Sequence, residues 1–196
     1  MSVVLVDAGG TNIGSVRYAL QRLGVDAALT ADADTIRAAD KVILPGVGAA
    51  GPGMARLREL GLVDRLRSLT QPVLGVCLGM QLLFAHSEEG DTECLGLIPA
   101  TVSRFQDRPG LRVPHMGWNR LQARRAHPLL AGMGEDDQAY FVHSYAAPVG
   151  EWTLATASYD EPFSAVVARD NFHGMQFHPE RSAAVGAQLL KNFLDL

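Results

Sequence analysis

Pro72-Val73-Leu74-Gly75-Val76-Cys77-Leu78-Gly79-Met80-Gln81 is the stretch on which the reading of this chain turns. Pro72 to Val76 is an apolar run with the length of a buried strand, and Leu78 to His86 reads as a helix. Cys77 therefore falls on the sharp step between them, the layout of a nucleophile elbow. A turn that tight leaves no room for side chains two positions away on either side, and Gly75 and Gly79 remove both. The sulfur is left exposed at the carboxyl edge of a sheet. It also meets the start of the following helix, where free N–H groups and the positive dipole end favour negative charge, and the N–H of Leu78 points to where an oxyanion would form. A lone cysteine is otherwise a small buried hydrophobe. The flanking glycines at a strand-to-helix step set this one apart.

A second segment far downstream, Phe177-His178-Pro179-Glu180, also follows an apolar run. Read as extended chain, it sends the side chains of His178 and Glu180 to the same face, with Pro179 stiffening the link. A carboxylate beside an imidazole holds one tautomer and stabilises the imidazolium formed when a thiol proton is taken. Alone, this motif is weak; paired with the elbow it predicts a Cys77-His178-Glu180 triad.

Outward from the elbow, strand and helix alternate. Ser2–Asp7 reads as a buried strand, and Ile13, Val16, Leu20 and Leu23 recur at helical spacing until Gly24 ends the run. Val25–Thr30 is a second strand, Asp34–Asp40 a short helix and Lys41–Leu44 a third strand, stopped by Pro45-Gly46-Val47-Gly48. One helix with Met54, Leu57, Leu60 and Leu66 inward precedes the elbow strand. This order predicts an α/β fold with a mostly parallel central sheet, flanked by helices and joined by right-handed crossovers. After Leu95 the period shortens to two, which adds antiparallel strands at Leu97–Phe105, Gly117–Gln122, Gln138–Tyr145, Trp152–Ser158, Phe163–Arg169 and Phe172–Phe177. Ser182–Leu196 closes as a helix with Val185, Leu189, Leu190 and Phe193 on one stripe. Loops fall at Ser87–Glu93, Asp107–Leu111 and Met133–Asp137. There is no repeat or linker, so residues 1–196 read as a single domain.

At 196 residues, 47% hydrophobic and 19% charged, the chain has length for one full core. A net charge of −4 with scattered arginines gives no footprint for nucleic acid. Val3-Val4-Leu5-Val6 is too short for a signal sequence, no run approaches membrane-spanning length, and a cytoplasmic protein is expected. Cys77 and Cys94 are not expected to pair, because a disulfide would consume the nucleophile. No His or Cys stands at metal-ligand spacing, so neither metal nor cofactor is expected. His143 and His173 read as isolated strand residues.

In open parallel sheets, ligands sit beyond the carboxyl ends of the strands. Asp7-Ala8-Gly9-Gly10-Thr11-Asn12 ends the first strand and is read as a tight turn, since it lacks the spacing of a phosphate loop. Pro45-Gly46-Val47-Gly48 either donates a second hydrogen bond to an oxyanion or is an ordinary strand-to-helix loop.

Gly-Val-Cys-Leu-Gly-Met-Gln, Pro-Gly-Val-Gly and Phe-His-Pro-Glu resemble the motifs of class I (triad) glutamine amidotransferases, which share a flavodoxin-like fold. Pro114-His115-Met116-Gly117-Trp118-Asn119, Tyr140-Phe141-Val142-His143-Ser144-Tyr145 and residues 171–182 are similar to the glutaminase subunits of imidazole glycerol phosphate synthase. The resemblance covers essentially the whole chain. It implies that Cys77 attacks the side-chain amide of L-glutamine and that His178 passes the proton to departing ammonia. It further implies that Gln81 and Glu89 grip the substrate, that backbone near Ser144 and Tyr145 holds its carboxylate, and that Leu78 with Val47 and Gly48 forms the oxyanion hole. Without it, Glu88 and Glu89 would read as solvated loop charges and Gln81 as a polar helix residue. The implied partner is a cyclase subunit, a (β/α)8 barrel that receives the ammonia, and 196 residues leave no length for a second active site. Asn12, Trp118, Tyr140 and Arg181 are expected to face it; the alternative for Trp118 and Tyr140 is a place in the core, the commoner role of such aromatics. The rival readings are a glutaminase serving another synthase, a cysteine peptidase or γ-glutamyl hydrolase, and an inactive regulatory relative.

Overall fold

The computed structural model describes residues 1–9 and 13–196. Its first half alternates as the pattern predicts: β1 (Val3–Val6), α1 (Ile13–Arg22), β2 (Ala28–Thr30), α2 (Ala33–Ala38), β3 (Lys41–Gly46), α3 (Ala50–Glu59), α4 (Val63–Arg67), β4 (Val73–Cys77) and α5 (Leu78–Gln81). The second half is strand-rich: β5 (Phe84–Ser87), β6 (Thr92–Glu93), β7 (Ile98–Arg104), β8 (His115–Arg120), β9 (Gln122–Ala123), β10 (Gln138–His143), β11 (Tyr145–Ala146), β12 (Thr153–Tyr159), β13 (Glu161–Arg169) and β14 (Phe172–Met175), closed by α6 (Ala183–Asp195).

The main sheet has eight strands in the order β2-β1-β3-β4-β14-β13-β12-β9. Pairings from β2 through β14 are parallel and those beyond β14 antiparallel. Helices cover both faces, which is why the central strands β1 and β4 are buried at every position. On β1, Val3 and Leu5 pack with Val16 and Leu20 of α1 and Leu189, Leu190 and Phe193 of α6. Val4 and Val6 pack on the other side with Ile36, Met54, Leu57 and Leu66. Two smaller sheets, β10-β8 and β11-β7-β5-β6, stand beside the main one. They carry one wall of the cavity described below.

Three local expectations are corrected. The helix after the elbow stops at Gln81, and Phe84–Ser87 is a strand. The carbonyls of Leu82, Leu83 and Phe84 accept from the N–H groups of Leu95, Leu97, Ile98 and Gly96, so they are not available to propagate a helix. The helix expected from Met54 to Leu66 is two, α3 and α4, parted where Gly61 takes a φ of +65°. The strand expected over 138–145 breaks at Ser144, with β10 pairing β8 and β11 pairing β7.

Candidate active site

Cys77 has φ 54° and ψ −113°, a backbone state that only a tightly enclosed turn maintains in a residue with a side chain. The enclosure comes from the two glycines. A Cβ on Gly75 would lie 2.5 Å from the Gly79 carbonyl oxygen, and one on Gly79 would lie 1.8 Å from the Leu44 carbonyl oxygen on β3. The elbow is thus pressed against its neighbouring strand, and Gly46 at the end of that strand pairs in register with Cys77. The cysteine is 8% exposed and not open at the sheet edge as expected. It is reached through a cavity of about 300 Å³.

That cavity is lined by Val47, Gly48, Cys77, Leu78, Gln81, Glu89, Ser144, Tyr145 and His178, together with Pro114, Val142 and His143. Residues from six separated stretches of sequence therefore meet at one place, beyond the carboxyl ends of β3 and β4. Gly48 has φ +96°, a backbone state that favours glycine, and nothing lies within 4 Å of where its Cβ would be.

His178 Nδ1 lies 3.0 Å from Glu180 Oε1, and the Glu180 side chain is 2% exposed. The two are joined by a 3-10 turn over Pro179–Arg181, not by the extended chain expected. The His178 N–H donates to Tyr140 O at 3.0 Å, and its carbonyl accepts from Ser182 Oγ at 2.7 Å, which anchors the turn at both ends. Burial works against charge on the imidazole, but the hydrogen bonds and charges of Cys77 and Glu180 outweigh it and raise His178 to about 10. An imidazolium at neutral pH beside the sulfur is the state in which a cysteine nucleophile is ready. With only one turn of helix after Cys77, this neighbour matters more than a macrodipole.

Glu89 Oε2 accepts from Ala50 N–H at 2.8 Å and caps the start of α3 while lining the cavity. Gln81 is committed to the protein: its Nε2 donates to Tyr145 O at 3.0 Å and to Gln176 Oε1 at 2.9 Å. Gln176, fully buried, places its own Nε2 3.9 Å from Cys77 Sγ. Sequence reasoning missed Gln176. Its signal was a lone amide in an apolar run, two residues before His178.

Trp118 is 52% exposed, which excludes the core reading, and its ring meets Tyr140 edge-on at 6.0 Å. The Arg181 guanidinium stacks over Tyr140 at 4.5 Å. Three of the four residues expected to face a partner therefore form one patch, with Met116, 63% exposed, on the same strand as Trp118. Asn12 lies outside the described residues. Cys94 is a buried free thiol pushed up to about 11 by burial, as befits an inert side chain. His143 is not isolated as expected, since its Nε2 meets His115 Nδ1 at 3.0 Å. Nor is His173, whose ring is tilted against His127 at 5.7 Å. Among the described residues, no helix is long and apolar enough to cross a membrane.

The chain is 58% identical over 194 residues to an imidazole glycerol phosphate synthase subunit HisH of Xanthomonas axonopodis pv. citri, covering 99% of this chain and 97% of that one. It is 56% identical, with the same coverage, to the HisH subunit of Xylella fastidiosa. Among solved structures, a glutamine amidotransferase superposes with a TM-score of 0.77 at 22% identity, over 100% of this chain and 98% of that one. PurLQS from Thermotoga maritima superposes at 0.73 with 16% identity, over 99% and 97%. At those identities the structures speak for the fold alone. Residues 4–196 match the family described as glutamine amidotransferase class-I, and to that family the chain belongs.

Proposed function

We infer that the chain is the glutaminase subunit of imidazole glycerol phosphate synthase, acting on L-glutamine for a second, cyclase subunit in histidine biosynthesis. The observation that carries the reading is the single cavity that gathers the nucleophile, the charged base, an acidic side chain and a glycine-rich strand end. The likeness to HisH subunits along the full chain supports the choice of synthase.

In this reading Cys77 Sγ attacks the amide carbon of the glutamine side chain. The carbonyl electron pair moves onto oxygen, where the Leu78 N–H and a donor from the Val47–Gly48 peptide receive it, each such donor contributing about 3 kcal/mol. The C–N bond breaks as His178 gives its proton to the leaving nitrogen, and ammonia departs. Water then attacks the thioester while His178 takes its proton, releasing glutamate and restoring the Cys77 thiolate beside the His178 imidazolium. Glu180 holds the imidazole in place throughout. Glu89 takes the substrate ammonium group, the Ser144–Tyr145 backbone takes its carboxylate, and Gln81 shapes the wall between them. Gly48, with a positive φ and open space at its Cβ position, suits a peptide that turns into place when the partner binds its ligand.

Ammonia in water at neutral pH is mostly ammonium, which is no nucleophile, so the product must pass directly to a partner. That partner is a (β/α)8-barrel cyclase, docked over Trp118, Tyr140 and Arg181, and the reaction belongs to the cytoplasm. The test is ammonia release from glutamine with and without the cyclase and its ribotide ligand. Strong stimulation by that pair alone supports the reading; peptide or γ-glutamyl cleavage without a partner overturns it.

A further inference from the structure

Pro114–Asn119 and Tyr140–Tyr145 each bring one buried histidine into the protein, and strand pairing sets the two directly opposite, His115 against His143. Neither belongs to the triad. Their hydrogen bonds nevertheless have only one consistent polarity. His143 Nδ1 lies 2.8 Å from Tyr145 O, and a carbonyl only accepts, so the proton is on Nδ1 and Nε2 is bare. His115 Nδ1, 3.0 Å away, must then donate to that nitrogen, which leaves His115 Nε2 to accept from Asn119 Nδ2 at 3.3 Å.

The same carbonyl sets the other branch. Gln81 Nε2 donates to Tyr145 O, so its second N–H turns to Gln176 Oε1, and the Gln176 nitrogen is left facing Cys77 Sγ. Every amide and ring orientation between Asn119 and the nucleophile thus follows from one oxygen with both acceptor sites filled. That oxygen sits just past Ser144, where the chain leaves one sheet and enters another, at the edge of the cavity. Phe105, Tyr159 and Phe163 close around the histidine rings, with centroids 4.2 Å apart for His115 and Tyr159 and 5.0 Å for His143 and Phe163. Water cannot replace a donor lost there.

We propose that His115 and His143 are positioning residues of the glutamine site, which pin the Tyr145 carbonyl and, through it, aim Gln81 and Gln176 at the substrate pocket and Cys77. They do not exchange protons: a second proton on His143 would set N–H against the N–H of His115. The proposal rests on the glutaminase reading of the cavity. It also gives the two histidine-bearing segments a physical role that the triad does not.

The experiment compares His143→Leu with His143→Asn in the complete complex with cyclase and ribotide ligand. Asparagine places an amide nitrogen where Nδ1 was and can still donate to Tyr145 O; leucine cannot. The leucine variant is expected to raise KM for glutamine about tenfold with kcat changed by less than about threefold, and asparagine to return KM to within about threefold of the parent. Equal losses in both variants, or none in leucine, would overturn the proposal while a parent complex active on glutamine upholds the glutaminase reading. A parent complex inactive on glutamine would overturn both. Independently of folding in the variants, nitrogen-15 NMR of the parent chain at pH 7 should find both rings neutral with the proton on Nδ1. An Nε2–H tautomer at His143 would also refute the proposal.

Discussion

Replacing Gly79 by alanine should damage the enzyme more than any other single methyl group added near the site. The new Cβ would stand 1.8 Å from Leu44 O and 2.9 Å from Leu44 C, both backbone atoms of β3. To bring that contact even to 3.0 Å, α5 and β3 must part by about 1 Å. The opposing surface offers no slack, since a Cβ on Gly46 would already lie 2.9 Å from Gly79 N. Overpacking between two rigid backbones belongs at the upper end of the usual range, about 3 kcal/mol. The displacement moves Cys77 and the Leu78 N–H relative to the Val47–Gly48 peptide, and a misplacement of about 1 Å in such a constellation costs about a hundredfold in rate. Partner-stimulated ammonia release and denaturant unfolding measure the two effects. Gly51→Ala is the control, because its Cβ would meet only Thr92 Oγ1 at 3.5 Å and alanine is the better helix residue. A Gly79→Ala protein within about threefold of parental activity and about 0.5 kcal/mol of parental stability would refute the close apposition of elbow and strand.

Burial lowers His115 to about 4 and His143 to about 3, so the unfolded chain takes up their protons first as pH falls below about 6.5. Their contribution to stability is complete above that pH and is lost toward pH 4. Unfolding free energy should therefore drop by up to about 1.4 kcal/mol per pH unit per histidine between pH 6.5 and 5, and a flat profile there would contradict their burial. His178 has the opposite sign: its raised value means stability present below about 6.5 and lost as pH rises through about 10. Ring NMR should find it charged at pH 8, and in Cys77→Ala its value should fall as one hydrogen bond and one charge disappear while burial remains; an unchanged value would remove Cys77 as its partner. Trp118→Ala should leave stability within about 0.5 kcal/mol but weaken binding of the cyclase by about 2 kcal/mol, measured by titration calorimetry. Undiminished binding would move the interface elsewhere.

The elbow was readable because its determinants are neighbours in the chain: Gly75, Cys77 and Gly79 act on one turn. The alternation before it was readable for the same reason, and it correctly implied a mostly parallel sheet. What escaped reading depends on distant partners. Leu82-Leu83-Phe84 has no local cue against a helix; its carbonyls are captured by the segment around Gly96. The pairing of His115 with His143 follows from the register of two strands with β9 and its following segment between them, which no spacing within either strand reveals. Gln176 looked like any strand residue until Gln81 was placed against it. His178 and Glu180 were paired correctly for an incorrect reason, because a 3-10 turn and an extended strand both bring residues two apart within reach.

Product formation by the complex with Cys77→Ala, supplied either with glutamine or with ammonium salt at a pH where free ammonia is abundant, tests the central claim most directly. The account predicts that glutamine-supported synthesis falls by about a thousandfold or more, while ammonia-supported synthesis stays within about twofold of the parent. Retained synthesis from glutamine, or equal loss from both nitrogen sources, would contradict the assignment of Cys77 as the nucleophile that releases ammonia.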